Sequence, residues 1–275
     1  MKLRARGHEL TFPRTPIVMG ILNLSVDSFS GDGFATVDAA LDRGREMIAE
    51  GAEIIDVGAE SARTNRDPIS EEDEAALLRK FIGGWRGDAL LSINTWRPAV
   101  ARAALEMGGH ILNDIGGLPG PENAALCAET GAALLIMHSV GAPKVPHTHV
   151  GYDNIMVRLE EFFAEKIALA ESTGLPRESI VIDPGIDFAK QRDDNLRIFR
   201  ELDRLKKFER PILLPVSRKT VIGEVLGIEN AADRDAGTVA CVVQGMARGA
   251  SIFRVHNVRA AVQTVRMISS VISAP

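Results

Sequence analysis

Eight short apolar runs, each followed by a longer stretch with helical spacing, limit what this chain can fold into more than any other feature. The runs are Ile17–Leu22, Ala52–Val57, Leu90–Ile93, His110–Leu112, Ala133–Met137, Ile180–Ile182, Ile212–Val216 and Ser251–Val255. Most are continuous rather than alternating, the pattern of parallel strands covered on both faces. Val37, Ala40, Leu41, Gly44, Met47 and Ile48 fall on one face of the first helical stretch, and Val258, Val262, Val265, Ile268 and Ile272 form a stripe along the last. Ser70-Glu71-Glu72-Asp73 has the form of a capping box at the entry of the second helix. Dividing 275 residues by eight leaves about 34 per unit, room for a strand, a helix and two loops. The fold class this predicts is α/β, a single (β/α)8 TIM barrel spanning residues 1–275. A doubly wound open sheet shares the alternation, but eight units with nothing left over favour closure. No linker-like shift in composition, low-complexity tract or repeat divides the chain.

Composition excludes several classes. With 45% hydrophobic residues the chain can bury a sizeable core and is not disordered. A net charge of -5 argues against a general nucleic-acid binder. No apolar run reaches the roughly 18 residues of a membrane span, and MKLRARGHEL has no apolar stretch behind its basic residues. Two cysteines, Cys127 and Cys241, make neither a disulfide framework nor a metal cluster. The expectation is a cytoplasmic protein acting on small molecules, with no nucleic-acid or membrane partner.

The polar residues at the ends of the runs carry the chemistry. In order they are Asn23, Asp56, Asn94, Asn113-Asp114, His138, Asp183, Ser217-Arg218-Lys219, and Arg254 with His256. In a closed barrel these ends converge on one mouth, so residues distant in sequence line one pocket. Arg63, Lys219, Arg254 and His256 suit an anion such as phosphate or diphosphate. Asn113, Asp183 and Asn94 offer donors and acceptors for a flat heterocycle with an amide-like edge. Ser217-Arg218-Lys219-Thr220 runs into a helix-like segment whose N–H groups could also receive an anion.

Ordered along the chain, Met19-Gly20-Ile21-Leu22-Asn23, Asp27-Ser28-Phe29-Ser30, Gly51-Ala52-Glu53-Ile54-Ile55-Asp56, Glu60-Ser61-Ala62-Arg63, Asn113-Asp114-Ile115, Met137-His138, Asp183-Pro184-Gly185, Ser217-Arg218-Lys219 and Arg254-Val255-His256 resemble the dihydropteroate synthase family. The resemblance implies a (β/α)8 barrel, a homodimer, and the joining of 6-hydroxymethyl-7,8-dihydropterin diphosphate to p-aminobenzoate with release of diphosphate and the help of Mg²⁺. It implies that Asn23 helps hold Mg²⁺ and the diphosphate. Ser61 belongs to the substrate loop, and Arg63, Arg254 and His256 would bind the departing diphosphate. Asn94, Asn113, Asp183 and Lys219 would line the pterin pocket. Thr220 would receive the p-aminobenzoate carboxylate, and Phe188 would pack on its ring. Lys219, Arg254, His256 and Asp183 are the expected catalytic set.

The match breaks around the pterin pocket and its loops. Asn94 stands where the family usually has Asp, and Asp187-Phe188-Ala189 replaces Gly-Phe-Gly. Pro215 replaces a glycine, Ala62 a threonine, Thr64-Asn65 a Pro-Gly, and Val26 a proline. Under one reading these changes are drift, with Asp187 supplying the negative charge that Asn94 lacks; Asp187→Asn would then be nearly dead. Under another the chain is a divergent paralogue that binds a pterin or related heterocycle with altered or no synthase activity. Methyl transfer from a methyl-pterin to a corrinoid has no evident need for the Ser-Arg-Lys and Arg-Val-His sets. His138, His147 and His149 lack the spacing and further ligands of a zinc site. Trp96, next to Asn94-Thr95, is placed either to stack on a ligand or to cover the barrel rim.

Overall fold

The computed structural model describes residues 1–24, 34, 36–60, 68–145 and 150–274. Eight parallel strands follow the expected runs: β3 (Ile17–Asn23), β4 (Ile54–Gly58), β5 (Leu90–Asn94), β6 (Ile111–Asp114), β7 (Ala133–Met137), β8 (Ile180–Asp183), β9 (Leu213–Leu214) and β10 (Ile252–Val255). Their order is β8-β7-β6-β5-β4-β3-β10-β9. A parallel bridge between Ile182 and Ile212, with the Ile182 N–H donating to the Pro211 carbonyl at 3.1 Å, closes the circle. The fold is therefore the barrel rather than the open sheet. The strand β9 has only two residues because Pro211 and Pro215 flank it, and proline cannot donate to a ladder.

Nine α-helices wrap the described barrel: α1 (Val37–Glu50), α2 (Glu71–Gly84), α3 (Pro98–Glu106), α4 (Glu122–Thr130), α5 (Ile155–Ser172), α6 (Arg192–Glu201), α7 (Thr220–Leu226), α8 (Asp235–Arg248) and α9 (Val258–Ser273). The apolar stripe read for α1 is its buried face. In α9 Val258, Val262 and Val265 are buried, whereas Ile272 is exposed. At the entry of α2 the Ser70 hydroxyl oxygen accepts from the Asp73 N–H at 3.0 Å. The Asp73 carboxylate takes the Ser70 hydroxyl proton instead of the backbone N–H that a reciprocal box would use.

The period of two along each strand divides the interior into two cores. Val18, Ile55, Val57, Leu91 and Ile93 face outward into the layer beneath the helices. Ile17, Met19, Ile54, Leu90, Ile111, Leu135, Val181, Leu213 and Ile252 fill the barrel itself.

One element lies outside the eight units. An antiparallel hairpin, β1 (Lys2–Ala5) and β2 (His8–Thr11), precedes the barrel. Its Leu3 and Ala5, with Phe12, join the inner core at the N-terminal ends of the strands. Arg6 fastens it, its N–H donating to the Gly131 carbonyl at 2.6 Å and its guanidinium to the Leu105 carbonyl at 2.7 Å. "Nothing left over" is thus corrected: the chain carries a stopper as well as a barrel.

Candidate active site

Above the apolar filling, the same inward positions turn polar. Register places Asp56 beside Ser92 and Asn94 beside Asn113. The fully buried Asp56 is the hub of this layer. Its carboxylate accepts from Ser92 Oγ at 2.5 Å, Asn94 Nδ2 at 3.3 Å, Asn113 Nδ2 at 3.2 Å and Arg254 Nε at 2.7 Å. The negative charge of the pocket floor therefore belongs to Asp56, and Asn94 contributes a donor to it. With its amide hydrogens directed at Asp56, buried Asn113 has no hydrogen-bond partner for Oδ1 among the described residues. A buried acceptor of this kind is costly unless a ligand N–H satisfies it.

Asp183 ends β8 and accepts the Gly185 N–H at 2.7 Å. Burial pushes its carboxyl up to about 6, against the opposing pull of that N–H and of Lys219, Lys190 and Arg254. Lys219 caps α7, donates from Nζ to the Ile186 carbonyl at 2.8 Å and stands 4.7 Å from the Phe188 ring centroid. Ser217 Oγ accepts the His256 backbone N–H at 3.1 Å and lies 2.7 Å from His256 Nδ1. Arg218 turns away and pairs bidentately with Asp235, at 2.8 and 3.2 Å.

Asp187 sits elsewhere than the compensating-charge reading requires. Its carboxylate accepts from the N–H groups of Thr220 at 2.5 Å and Val221 at 3.2 Å, and from Asn195 Nδ2 at 3.2 Å. It clamps the loop after β8 to the start of α7, and it holds the backbone N–H of Thr220. Asp187 and Ala189, the two residues standing where the family usually has glycine, both adopt left-handed φ, +69° and +50°. Asparagine tolerates that conformation and keeps one acceptor. We therefore expect Asp187→Asn to keep activity within about tenfold, and Asp187→Ala to lose about 1–2 kcal/mol of stability with the cap. Turnover and denaturant unfolding of both variants check this.

Asn23 ends β3, half-buried at the mouth, and its carbonyl accepts the Phe34 N–H at 3.3 Å. Trp96 is half-buried and packs on the inner core, with the Arg97 guanidinium 5.4 Å from its ring centroid. Glu60 takes the Ile69 N–H at 2.8 Å and Lys144 Nζ at 2.6 Å, so it ties together the two ends of the 61–67 stretch. Ser61 and Arg63, with Ala62, Thr64, Asn65, Val26, Asp27–Ser30, His147 and His149, lie outside the described residues. Among the described residues no group of three His, Cys, Asp or Glu side chains could hold a metal.

The structure thus brings together Asn94, Asn113, Asp183, Phe188, Lys219, Arg254 and His256 around one mouth. Asp56 is the residue that sequence reasoning passed over. It was visible as a strand end, but its role depends on donors 36 to 198 residues away.

Comparison with known proteins agrees with this geometry. A family model described as pterin binding enzyme matches residues 19–256. The dihydropteroate synthase of Escherichia coli K12 is 36% identical over 278 aligned positions, covering 100% of this chain and 98% of the relative. A Yersinia pestis dihydropteroate synthase solved with a sulfonamide drug superposes with a TM-score of 0.93 at 35% identity, covering 100% of both chains. The Xanthomonas albilineans enzyme with 4-aminobenzoic acid gives 0.89 at 33% identity, again over 100% of both. The chain belongs to the pterin-binding enzyme family and, within it, to the dihydropteroate synthases, which are transferases.

Proposed function

We infer that this chain joins 6-hydroxymethyl-7,8-dihydropterin diphosphate to p-aminobenzoate and releases diphosphate. One observation carries the reading beyond the likeness to relatives: a buried polar floor built on Asp56 leaves the Asn113 Oδ1 acceptor unsatisfied among the described residues. A flat heterocycle with ring N–H and amino donors supplies what that floor lacks. In the reaction the methylene C–O bond breaks with its electron pair going to the diphosphate. The arylamine nitrogen forms the new C–N bond and gives up a proton.

Arg254, braced through Nε by Asp56, presents its remaining guanidinium donors without side-chain reorganisation. His256, held by Ser217, is the second group for the leaving diphosphate, with Arg63 as a third. Asn94, Asn113, Asp183 and Lys219 hold the pterin, and p-aminobenzoate lies against Phe188 and the start of α7. Ser61, outside the described residues, is assigned to substrate binding by the family resemblance. Asn23, at the end of β3 on the mouth, would help hold Mg²⁺ together with the diphosphate, and the ion would supply charge neutralisation of that group.

No helix of the described residues is long and apolar enough to cross a membrane. Both cysteines are free thiols, which suits a cytoplasmic location. Exposed Met267, Val271 and Ile272 on α9 suit homodimer formation.

The test supplies purified protein with Mg²⁺ and the pterin diphosphate and follows diphosphate release with and without p-aminobenzoate. Release that depends on the amine and yields dihydropteroate supports the reading; no release from folded protein overturns it. A pH profile adds a second check. Asp183 accepts from pterin N–H groups only as a carboxylate, so kcat/KM should fall as pH drops through about 6. That acid limb should be absent in Asp183→Asn, whatever activity remains.

A further inference from the structure

The turn between β8 and α6 carries three left-handed residues within five positions: Gly185 at φ +67°, Asp187 at +69° and Ala189 at +50°. Two of them are not glycine, so the turn is conformationally costly and has to be held from outside. Lys190 holds it. Buried at 9% exposure, its Nζ lies 2.9 Å from each of three acceptors: the Gly185 carbonyl, the Phe188 carbonyl and His138 Nδ1. The His138 carbonyl stands a little farther from Nζ, at 3.5 Å, and burial pulls the Lys190 amine down to about 7, so these acceptors are what favours its charged form. His138 must then present a lone pair at Nδ1. Burial and the neighbouring Lys190 keep its ring neutral, with a pKa down to about 2. The same backbone is tied to the neighbouring strand β8, where the His138 N–H donates to the Asp183 carbonyl at 2.8 Å.

What hangs on this turn is the active-site cation. The Ile186 carbonyl that receives Lys219 Nζ lies between the two carbonyls Lys190 binds, and the ring facing that ammonium belongs to Phe188, whose carbonyl is one of the two. We propose that Lys190 is a positioning residue for the transfer: by bonding Gly185, Phe188 and His138 it fixes the turn that aims Lys219 into the pterin pocket. Lys190 touches no substrate and acts only through Lys219.

The proposal rests on the transferase reading, and its test separates the two. Affinity for the dihydropterin diphosphate is measured calorimetrically on the wild-type protein, Lys190→Met, Lys219→Met and the double variant, with Lys190→Gln as a second substitution in case the methionine does not fold. If wild-type protein fails to bind, the transferase reading falls and this proposal falls with it. If it binds, each single variant should weaken affinity by about 30- to 100-fold, the scale of a displaced contact in a preorganised site. The double variant should lie within about threefold of Lys219→Met alone, because residues that act through one contact are not additive. A merely structural lysine would not do this; its loss would multiply with that of Lys219. Multiplying effects overturn the proposal. So does a Lys190→Met protein within about threefold of wild type, or failure of both Lys190 variants to fold.

Discussion

Asp56→Asn is expected to abolish measurable turnover and to destabilise the fold by about 3 kcal/mol, more than any other isosteric change at the mouth. All four of its partners are donors: Ser92 Oγ, Asn94 Nδ2, Asn113 Nδ2 and Arg254 Nε. An amide presents an NH2 to at least one of them, turning an attraction into a donor–donor contact. The charge opposite Arg254 also disappears. Breaking one side of a buried ion pair typically costs about 3–5 kcal/mol; the Arg254 side chain, 20% exposed, recovers some hydration, which places this case at the low end. Activity should suffer more than stability. The floor acceptor on Asn113 and the guanidinium of Arg254 lose their bearings together, so at least about 10³ in kcat/KM is at stake. Denaturant unfolding and diphosphate release measure the two effects. A variant within about 1 kcal/mol and tenfold of wild type would mean that the four donors are held by their strands alone.

Gly185→Ala should be the most damaging single methyl group in the molecule. At φ +67° any L side chain is strained by about 1–2 kcal/mol, and here the added Cβ would also collide with the His138 carbonyl oxygen. That oxygen is backbone, on a strand end packed inside the barrel, and has no flexible way to retreat. Lys190 Nζ would stand 3.3 Å from the same carbon, so the three-acceptor cradle is disturbed as well. The expected loss is about 3 kcal/mol or more, with activity falling in step as the Phe188 carbonyl shifts. Thermal unfolding of this variant beside Gly131→Ala makes the comparison clean. Gly131 has a similar φ, +72°, with nothing within 4 Å of an added Cβ, so it registers the strain alone.

These residues show why parts of the molecule were legible in sequence and parts were not. The barrel strands were readable because helices cover their outer faces and apolar packing fills the inner ones, so burial wrote continuous apolar runs. The hairpin left no such trace. In β2 no residue is fully buried, and in β1 only Leu3 and Ala5 are, too few for a period to emerge. Site residues on strand ends were readable for the same reason as the strands. The roles of Asp187 and Lys190 were not, because both follow from a turn whose left-handed residues are not glycines, and spacing alone does not reveal that conformation. Asp187 looked like a charge for the pocket. Its carboxylate is used on the amides of α7.

The filled barrel has a kinetic consequence. With Ile17, Met19, Ile54, Leu90 and their neighbours packed through its interior, and Leu3, Ala5 and Phe12 added at the lower end, the barrel is a blind well rather than a passage. Whatever reaches the Asp56 floor descends past the Lys219 and Phe188 level, and whatever is made there climbs back the same way. Traffic of this kind is last in, first out. A ligand resting at the rim bars both the arrival and the escape of the one beneath it. Excess arylamine should therefore slow the loading of pterin, and trapped pterin should leave more slowly when the rim is filled.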